Sequence, residues 1–212
     1  MNHQFRTEQE SFWAGEFGTE YIKRCQGPEL LASNLAFFTR ALHSTRKLNN
    51  CLEFGANIGM NLMALKLLYP YQEQFAVEIN ANAVDELRTI LLPENVFHLS
   101  ILDYTPVRRF DLVLIKGVLI HINPDYLTQV YKILYESTGR YLLISEYYNP
   151  TPVQVLYRGY YDRLFKRDFC GEILDMYPDF KLIDYGFVYH RDPNYPQDDI
   201  TWFLLERDNN KQ

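Results

Sequence analysis

Two kinds of apolar pattern alternate along this chain. Short apolar runs bounded by polar or turn residues have the length of buried strands: NCLEF (50–54), FAVEI (75–79), NVFHLS (95–100), FDLVLIK (110–116) and RYLLISEY (140–147). Between them, apolar positions recur at helical spacing. Residues 59–69 carry Met60, Met63, Ala64, Leu67 and Leu68 and are stopped by Pro70, and residues 81–92 are stopped by Pro93. FDLVLIK is almost wholly apolar, the pattern of a strand covered on both faces. Asn123-Pro124-Asp125 reads as the N-cap, first residue and acidic first turn of a further helix. Strands separated by helices imply right-handed crossovers, a mostly parallel sheet and an α/β fold.

The ends of the chain depart from this alternation. Residues 1–48 predict a helical cap: FWAGEFGTEYIKRC mixes aromatic and charged residues as a short arm. Gly27-Pro28 then opens a helix with Leu30, Leu31, Leu35, Phe38 and Leu42 on one face. The cofactor-binding core is expected over 49–147, followed by a Tyr- and Arg-rich, substrate-side insertion over 148–179. FKLIDYGFVYH (180–190) and ITWFLLER (200–207) read as strands of an antiparallel hairpin at one sheet edge, so 180–207 closes the expected single domain.

Composition narrows the function. The 212 residues suit one domain at about 150 residues each, and 47% hydrophobic with 23% charged content excludes disorder as the main state. A net charge of −6 argues against a nucleic-acid backbone binder, which needs a basic footprint. Tyr outnumbers Phe, 17 to 14, so many rings can line a polar pocket. Cys25, Cys51 and Cys170 form neither a disulfide framework nor a metal-ligand spacing, and no metal is expected. A cytoplasmic location is expected from that cysteine usage and from a polar N-terminus, MNHQFRTEQE, that does not read as a signal peptide. The longest apolar stretch, 112–122, is short and broken by Lys116 and His121, so no membrane span is expected.

The segment CLEFGANIGMN carries the most chemistry. A strand ends at Phe54, a turn holds Gly55, Ala56, Asn57 and Gly59, and a helix follows, which is where open α/β sheets bind ligands. The dinucleotide pattern G-x-G-x-x-G fails twice, at Asn57 and Met60. The form present is E-x-G-x-x-x-G, with Glu53 two residues before the first glycine. A carboxylate there is badly placed for a pyrophosphate and well placed for an ammonium group, which fits an aminocarboxypropyl-sulfonium ligand; the alternative is a carboxylate capping the next helix. Glu78, with Ile79 beside it, ends the second strand where an acid commonly accepts from ribose hydroxyls, or is an ordinary strand-end charge. After the third strand, Ser100 or Asp103 is expected to meet an adenine amine, with Ile101 packing the ring.

On these residues the chain resembles the class I S-adenosylmethionine-dependent methyltransferases over about 50–147 and the terminal hairpin, with FDLVLIKGVLIHINP adding to the likeness. The resemblance implies a Rossmann-like sandwich with strand order 3-2-1-4-5-7-6. It implies that Glu53 and the Gly55–Gly59 turn hold the methionine part, Glu78 the ribose and the 100–103 segment the adenine, with Lys116 and Gly117 near the methionine amine. FWAGEFGTEYIKR, KGVLIHINP, SEYYNPTPV and YRGYYDRLFKRDFCGEIL resemble more closely the methylases associated with pseudaminic acid biosynthesis. Cys25 departs from the Asn expected there, and Ser100 stands where many relatives in the wider family carry Asp.

The remaining candidates cluster at the strand exits. His121 is a possible base for a hydroxyl nucleophile or a structural histidine, and His190 is a weaker candidate. Glu146 and Tyr147 leave the fifth strand towards an acceptor or pack under the insertion. In YRGYYDRLFKRD, Arg158 and Lys166 with Tyr157 and Tyr161 can clamp an anionic substrate; the alternative is a solvated helix of ordinary ion pairs. Tyr21 and Arg24 on the arm can close over the cofactor, whereas Trp13 and Phe17 read as packing. The expected activity is methyl transfer from S-adenosylmethionine, leaving S-adenosylhomocysteine, to an oxygen or nitrogen of a small acidic sugar in nonulosonic acid or surface-glycan synthesis. The alternatives are another small-molecule acceptor or a non-catalytic protein that binds the same cofactor.

Overall fold

The apolar run at 110–116 lies at the centre of a seven-stranded sheet in the computed structural model, which describes residues 5–208. The chain opens with helices α1 (Glu8–Ala14), α2 (Glu16–Ile22) and α3 (Pro28–Ala41). There follow β1 (Asn50–Phe54), α4 (Met60–Leu68), β2 (Glu73–Glu78), α5 (Ala81–Ile90), β3 (Val96–His98) and β4 (Phe110–Lys116). The second half holds α6 (Leu127–Ser137), β5 (Thr138–Glu146), β6 (Val153–Tyr157), β7 (Tyr160–Lys166), α7 (Phe169–Met176), β8 (Phe180–Val188) and β9 (Ile200–Arg207). The strand order is β3-β2-β1-β4-β5-β9-β8. The first five strands run parallel, and β9 and β8 add antiparallel at the β5 edge, as the sequence pattern predicts.

Alternate residues of the central strands feed two cores, because successive strand side chains point to opposite faces. Leu52, Val113, Ile115, Leu142 and Ile144 pack with Leu127, Val130 and Leu134 of α6 and Ile173 of α7. Cys51, Leu112, Leu114 and Leu143 pack with Phe37, Phe38 and Ala41 of α3, Leu62 and Leu65 of α4 and Leu87 of α5. Residues 112–115 are therefore wholly buried. Because β1, β2, β4 and β5 are parallel, their carboxyl ends (Phe54, Glu78, Lys116 and Glu146) emerge on one side of the molecule.

Two local readings are corrected. Asn123 caps a 3-10 turn, Pro124–Tyr126, by accepting from Asp125 N at 3.0 Å, and α6 starts only at Leu127. The basic, tyrosine-rich run is a β-hairpin, β6–β7, and not a helix. Its strands turn through Arg158 (φ 51°) and Gly159 (φ 88°), and two positive-φ residues are what a two-residue turn of matching twist requires. The aromatic and β-branched residues on either side suit extended backbone.

Leu114→Ala is expected to lower stability by about 2–5 kcal/mol in urea unfolding, through a cavity between two rigid layers. Leu67→Ala on the 61%-exposed face of α4 is expected to stay within about 0.5 kcal/mol of the parent. Equal losses would contradict the two-core description.

Candidate functional site

At the carboxyl ends of the strands, two buried carboxylates each hold the backbone of a neighbouring turn. Glu78, ending β2, accepts from Asn57 N across in the turn after β1, and from Ile79 N and Asn80 N, all at 2.8 Å. Glu146, ending β5, accepts from Val118 N and Leu119 N at 2.9 Å and from Ile120 N at 3.5 Å, in the turn after β4. β1 and β4 are the adjacent strands from which the chain builds outward in opposite directions, so both turns flank the switch point of the sheet. Burial pushes the Glu146 carboxyl up to about 7 and raises Glu78, while the N–H donors work in the opposite sense.

A cavity of about 610 Å³ opens between the two turns, within the range of small-molecule sites. Gly55, Ala56, Asn57, Ile58, Met60 and Asn61 line it from the glycine turn and α4, and Glu78, Ile79 and Asn80 from the end of β2. Ser100, Ile101 and Leu102 come from the loop after β3, and Lys116, Gly117, Val118 and His121 from the exit of β4. Gly55 sits at φ 70°, and a Cβ there would lie 2.4 Å from Val118 Cγ2, so the turns after β1 and β4 touch only because this residue has no side chain. Burial lowers the Lys116 ammonium, against the pull of the nearby Glu53, Asp198 and Glu146 carboxylates.

Glu53 is fully enclosed and reaches the cavity through Asn61, whose Nδ2 donates to Glu53 Oε1 at 2.6 Å. Burial pushes its carboxyl up to about 8, opposed by Asn61 and Lys116. Glu53 Oε2, Asn57 Oδ1 and Asn61 Oδ1 are buried without a protein partner; Asn57 and Asn61 line this end of the cavity, and Glu53 lies behind Asn61.

A second recess of about 130 Å³ adjoins the first and is lined by Tyr21, His121, Glu146, Tyr147, Tyr157, Arg158 and Asp198 among others. His121 Nδ1 lies 2.5 Å from Arg163 O, so Nδ1 carries the proton and Nε2 is left as an acceptor. Trp13 and Tyr157 cover the ring at 4.5 and 5.1 Å between centroids, and burial lowers its pKa to about 4.

Tyr21, Arg24 and Cys25 of the arm also line the larger cavity. Five expected residues line neither cavity. Glu53 lies behind Asn61, and Gly59 (φ 84°) packs its open side against Leu87 and Ile90 of α5. The 3-10 turn 101–103 directs Ser100 inward, capping Leu102 N, and sends Asp103 outward into an ion pair with Arg6. Tyr161 is 72% exposed on the hairpin, and Lys166 lies over the Tyr147 ring at 5.0 Å. His190 lines the cavity with its Nδ1 paired to Asp199.

Sequence reasoning missed Asn80, Asp198 and the site role of Trp13. Asn80 Oδ1 caps α5 through Asn82 N and Ala83 N, while Nδ2 donates to Trp13 O at 3.1 Å and to Gly15 O at 3.3 Å, fastening the arm over the cavity. The N-cap signal before α5 was present in the sequence as Asn80. Asp198 lies in the polar 189–199 loop, which carries no periodic signal. Trp13 packs against Phe17 and Tyr21 and also lines the cavity. Among the described residues, no group of three or more His, Cys, Asp or Glu could hold a metal ion, and no helix is long and apolar enough to cross a membrane.

His121 sets a pH dependence. The unfolded imidazole binds its proton near 6.5 and the folded one only near 4, so its share of stability is full above 6.5 and is lost as pH falls through this window. His121→Gln is expected to flatten the stability profile between pH 6.5 and 4 in urea titrations. An unchanged slope would contradict the buried neutral imidazole.

No protein-family model matches the chain, and no curated protein matches it in sequence. Solved structures match its fold. A SAM-dependent methyltransferase from Leishmania major superposes with a TM-score of 0.67 at 14% identity, over 94% of this chain and 86% of that one. Magnesium protoporphyrin IX methyltransferase from Synechocystis PCC 6803, solved with bound SAM, gives 0.63 at 13% identity over 98% and 100%. The glycopeptide N-methyltransferase MtfA, complexed with S-adenosyl-L-methionine, gives 0.58 at 13% over 83% and 93%. The architecture of this chain is the α/β Rossmann-like fold of these methyltransferases.

Proposed function

We propose that this chain transfers the methyl group of S-adenosylmethionine to an oxygen or nitrogen of a small acidic sugar. The observation that carries the reading is the 610 Å³ cavity walled by the two clamped turns, with an acid at the end of β2 and unpartnered acceptors at the end of β1. The fold neighbours named above are methyltransferases with different acceptors, so the acceptor is argued from this chain. The likeness of FWAGEFGTEYIKR, KGVLIHINP and SEYYNPTPV to methylases of pseudaminic acid biosynthesis supports a nonulosonic sugar and a cytoplasmic site of action.

The residues present fit the cofactor. Asn57 Oδ1 and Asn61 Oδ1 lack partners, line the cavity and suit the ammonium of an amino-acid tail, with Glu53 holding Asn61 from behind. Glu78 Oε1 already accepts twice, but Oε2 accepts only from Asn57 N and keeps one lone pair for a ribose hydroxyl. Ile101 and Leu102 offer apolar surface for a base, with Ser100 beside them. When bound, S-adenosylmethionine supplies a methyl group already activated on a sulfonium.

The protein's part is alignment and exclusion of water. The arm covers the cavity through Trp13 and Tyr21. Glu146 positions the 118–120 backbone, and through it the His121 ring at the mouth of the recess. His121 Nε2, left without a proton by the Nδ1 bond to Arg163 O, is the base this reading assigns to a hydroxyl acceptor, whereas a carboxylate or free amine needs no base. Arg158 and Tyr157 face the same recess from the hairpin.

Calorimetry is expected to show S-adenosylhomocysteine binding, and Glu78→Ala is expected to weaken it about tenfold or more. With S-adenosylmethionine and a panel of acidic sugars, mass spectrometry is expected to find one added methyl. Absence of binding to the parent would overturn the cofactor assignment, and binding without methylation of any acidic sugar would overturn the acceptor class.

A further inference from the structure

The basic hairpin does not present its cations alike. Arg163 is paired with Glu8 and Asp162, Arg167 with Glu172, and Lys166 sits over the Tyr147 ring. Arg158, exposed at the positive-φ tip of the hairpin with its guanidinium 5.6 Å from the Tyr157 ring centroid, has no ion-pair partner among the described residues and lines both cavities. The neighbouring acids are divided in the same way. Asp199 is taken by His190, whereas Asp198 lines both cavities and faces the Tyr147 hydroxyl, with the buried Lys116 ammonium nearby but, among the described residues, no cation within ion-pair distance.

Arg158 and Asp198 thus line one recess of about 130 Å³ without pairing with each other, while Glu146, which also lines it, is taken by the 118–120 N–H groups. Charges held apart in a partly enclosed site gain most from a ligand that brings the complementary charge to each. Tyr147 and Tyr157 supply amphipathic walls between them.

We infer that this recess takes an acceptor bearing both an amine and an acid group, with the ammonium recognised by Asp198 and the anion by Arg158. The inference rests on the methyl-transfer reading of the larger cavity and specifies its acceptor as zwitterionic. Guanidinium forks favour a planar carboxylate or a phosphate as the anion.

Three probes separate the contributions: glucosamine carries only an amine, glucuronic acid only an acid, and muramic acid both. Calorimetry in the presence of S-adenosylhomocysteine is expected to show muramic acid binding more tightly than either of the others. Arg158→Gln is expected to weaken muramic and glucuronic acid about tenfold and leave glucosamine unchanged. Asp198→Asn is expected to weaken muramic acid and glucosamine and leave glucuronic acid unchanged. Each variant is compared with itself across probes, so a general loss of folding does not mimic the pattern. A parent that binds S-adenosylhomocysteine but does not favour muramic acid, or variants that affect all three probes equally, would overturn the zwitterion inference alone. A parent that does not bind S-adenosylhomocysteine would overturn the methyl-transfer reading and this inference with it.

Discussion

Two carboxylates fix the geometry on which the site depends. Glu78 and Glu146 end the strands flanking the central β1–β4 pair, and each reaches inward to hold the turn that leaves its inner neighbour. The arrangement has a physical cause. A parallel sheet delivers its carboxyl ends together, and the turns that follow leave backbone N–H groups without strand or helix partners. A hydrogen bond to a charged group contributes about 1.5–3 kcal/mol, and a donor left unmatched in a buried turn costs about as much. The cavity between the two turns is therefore walled by held backbone, with Gly55 allowing the turns to meet at van der Waals distance.

The arm and the hairpin complete the enclosure from outside the sheet. Asn80 ties α1 and α2 to the start of α5, while Gln9 Nε2 donates to Asp162 O at 2.8 Å and Arg163 pairs with Glu8. Phe12, Phe17 and Tyr160 pack across the same junction. His121 is held where these parts meet, with its Nδ1 on Arg163 O and its ring kept neutral by burial. Asp198 and Arg158 at the recess lie on connections and not on the sheet, so these two charges are separable from the fold that supports them.

Much of the scaffold was legible because its strands are continuous apolar runs and its helices stop at prolines. Leu112 to Ile115 could occupy only a doubly covered strand, and the failure of the dinucleotide pattern at Asn57 and Met60 pointed away from a pyrophosphate site. The insertion was less legible. Its alternating Tyr, Leu and Arg residues suit a hairpin, but the Arg158-Gly159 turn is not among the strong turn signatures. Asp103 was an equal candidate with Ser100 until the 3-10 turn at 101–103 directed one inward and the other to Arg6, a choice made by local backbone. Asp198 carried no signal, because its place in the cavity lining depends on how the loop between β8 and β9 folds.

The most direct measurement is a crystal structure of the protein grown with S-adenosylhomocysteine. The expected result is the ligand seated between the turns after β1 and β4, a ribose hydroxyl on Glu78 and the amino-acid end at Asn57 and Asn61, with the Glu78 and Glu146 clamps intact. A ligand bound elsewhere, or a cavity closed by its own side chains with either clamp broken, would contradict the account.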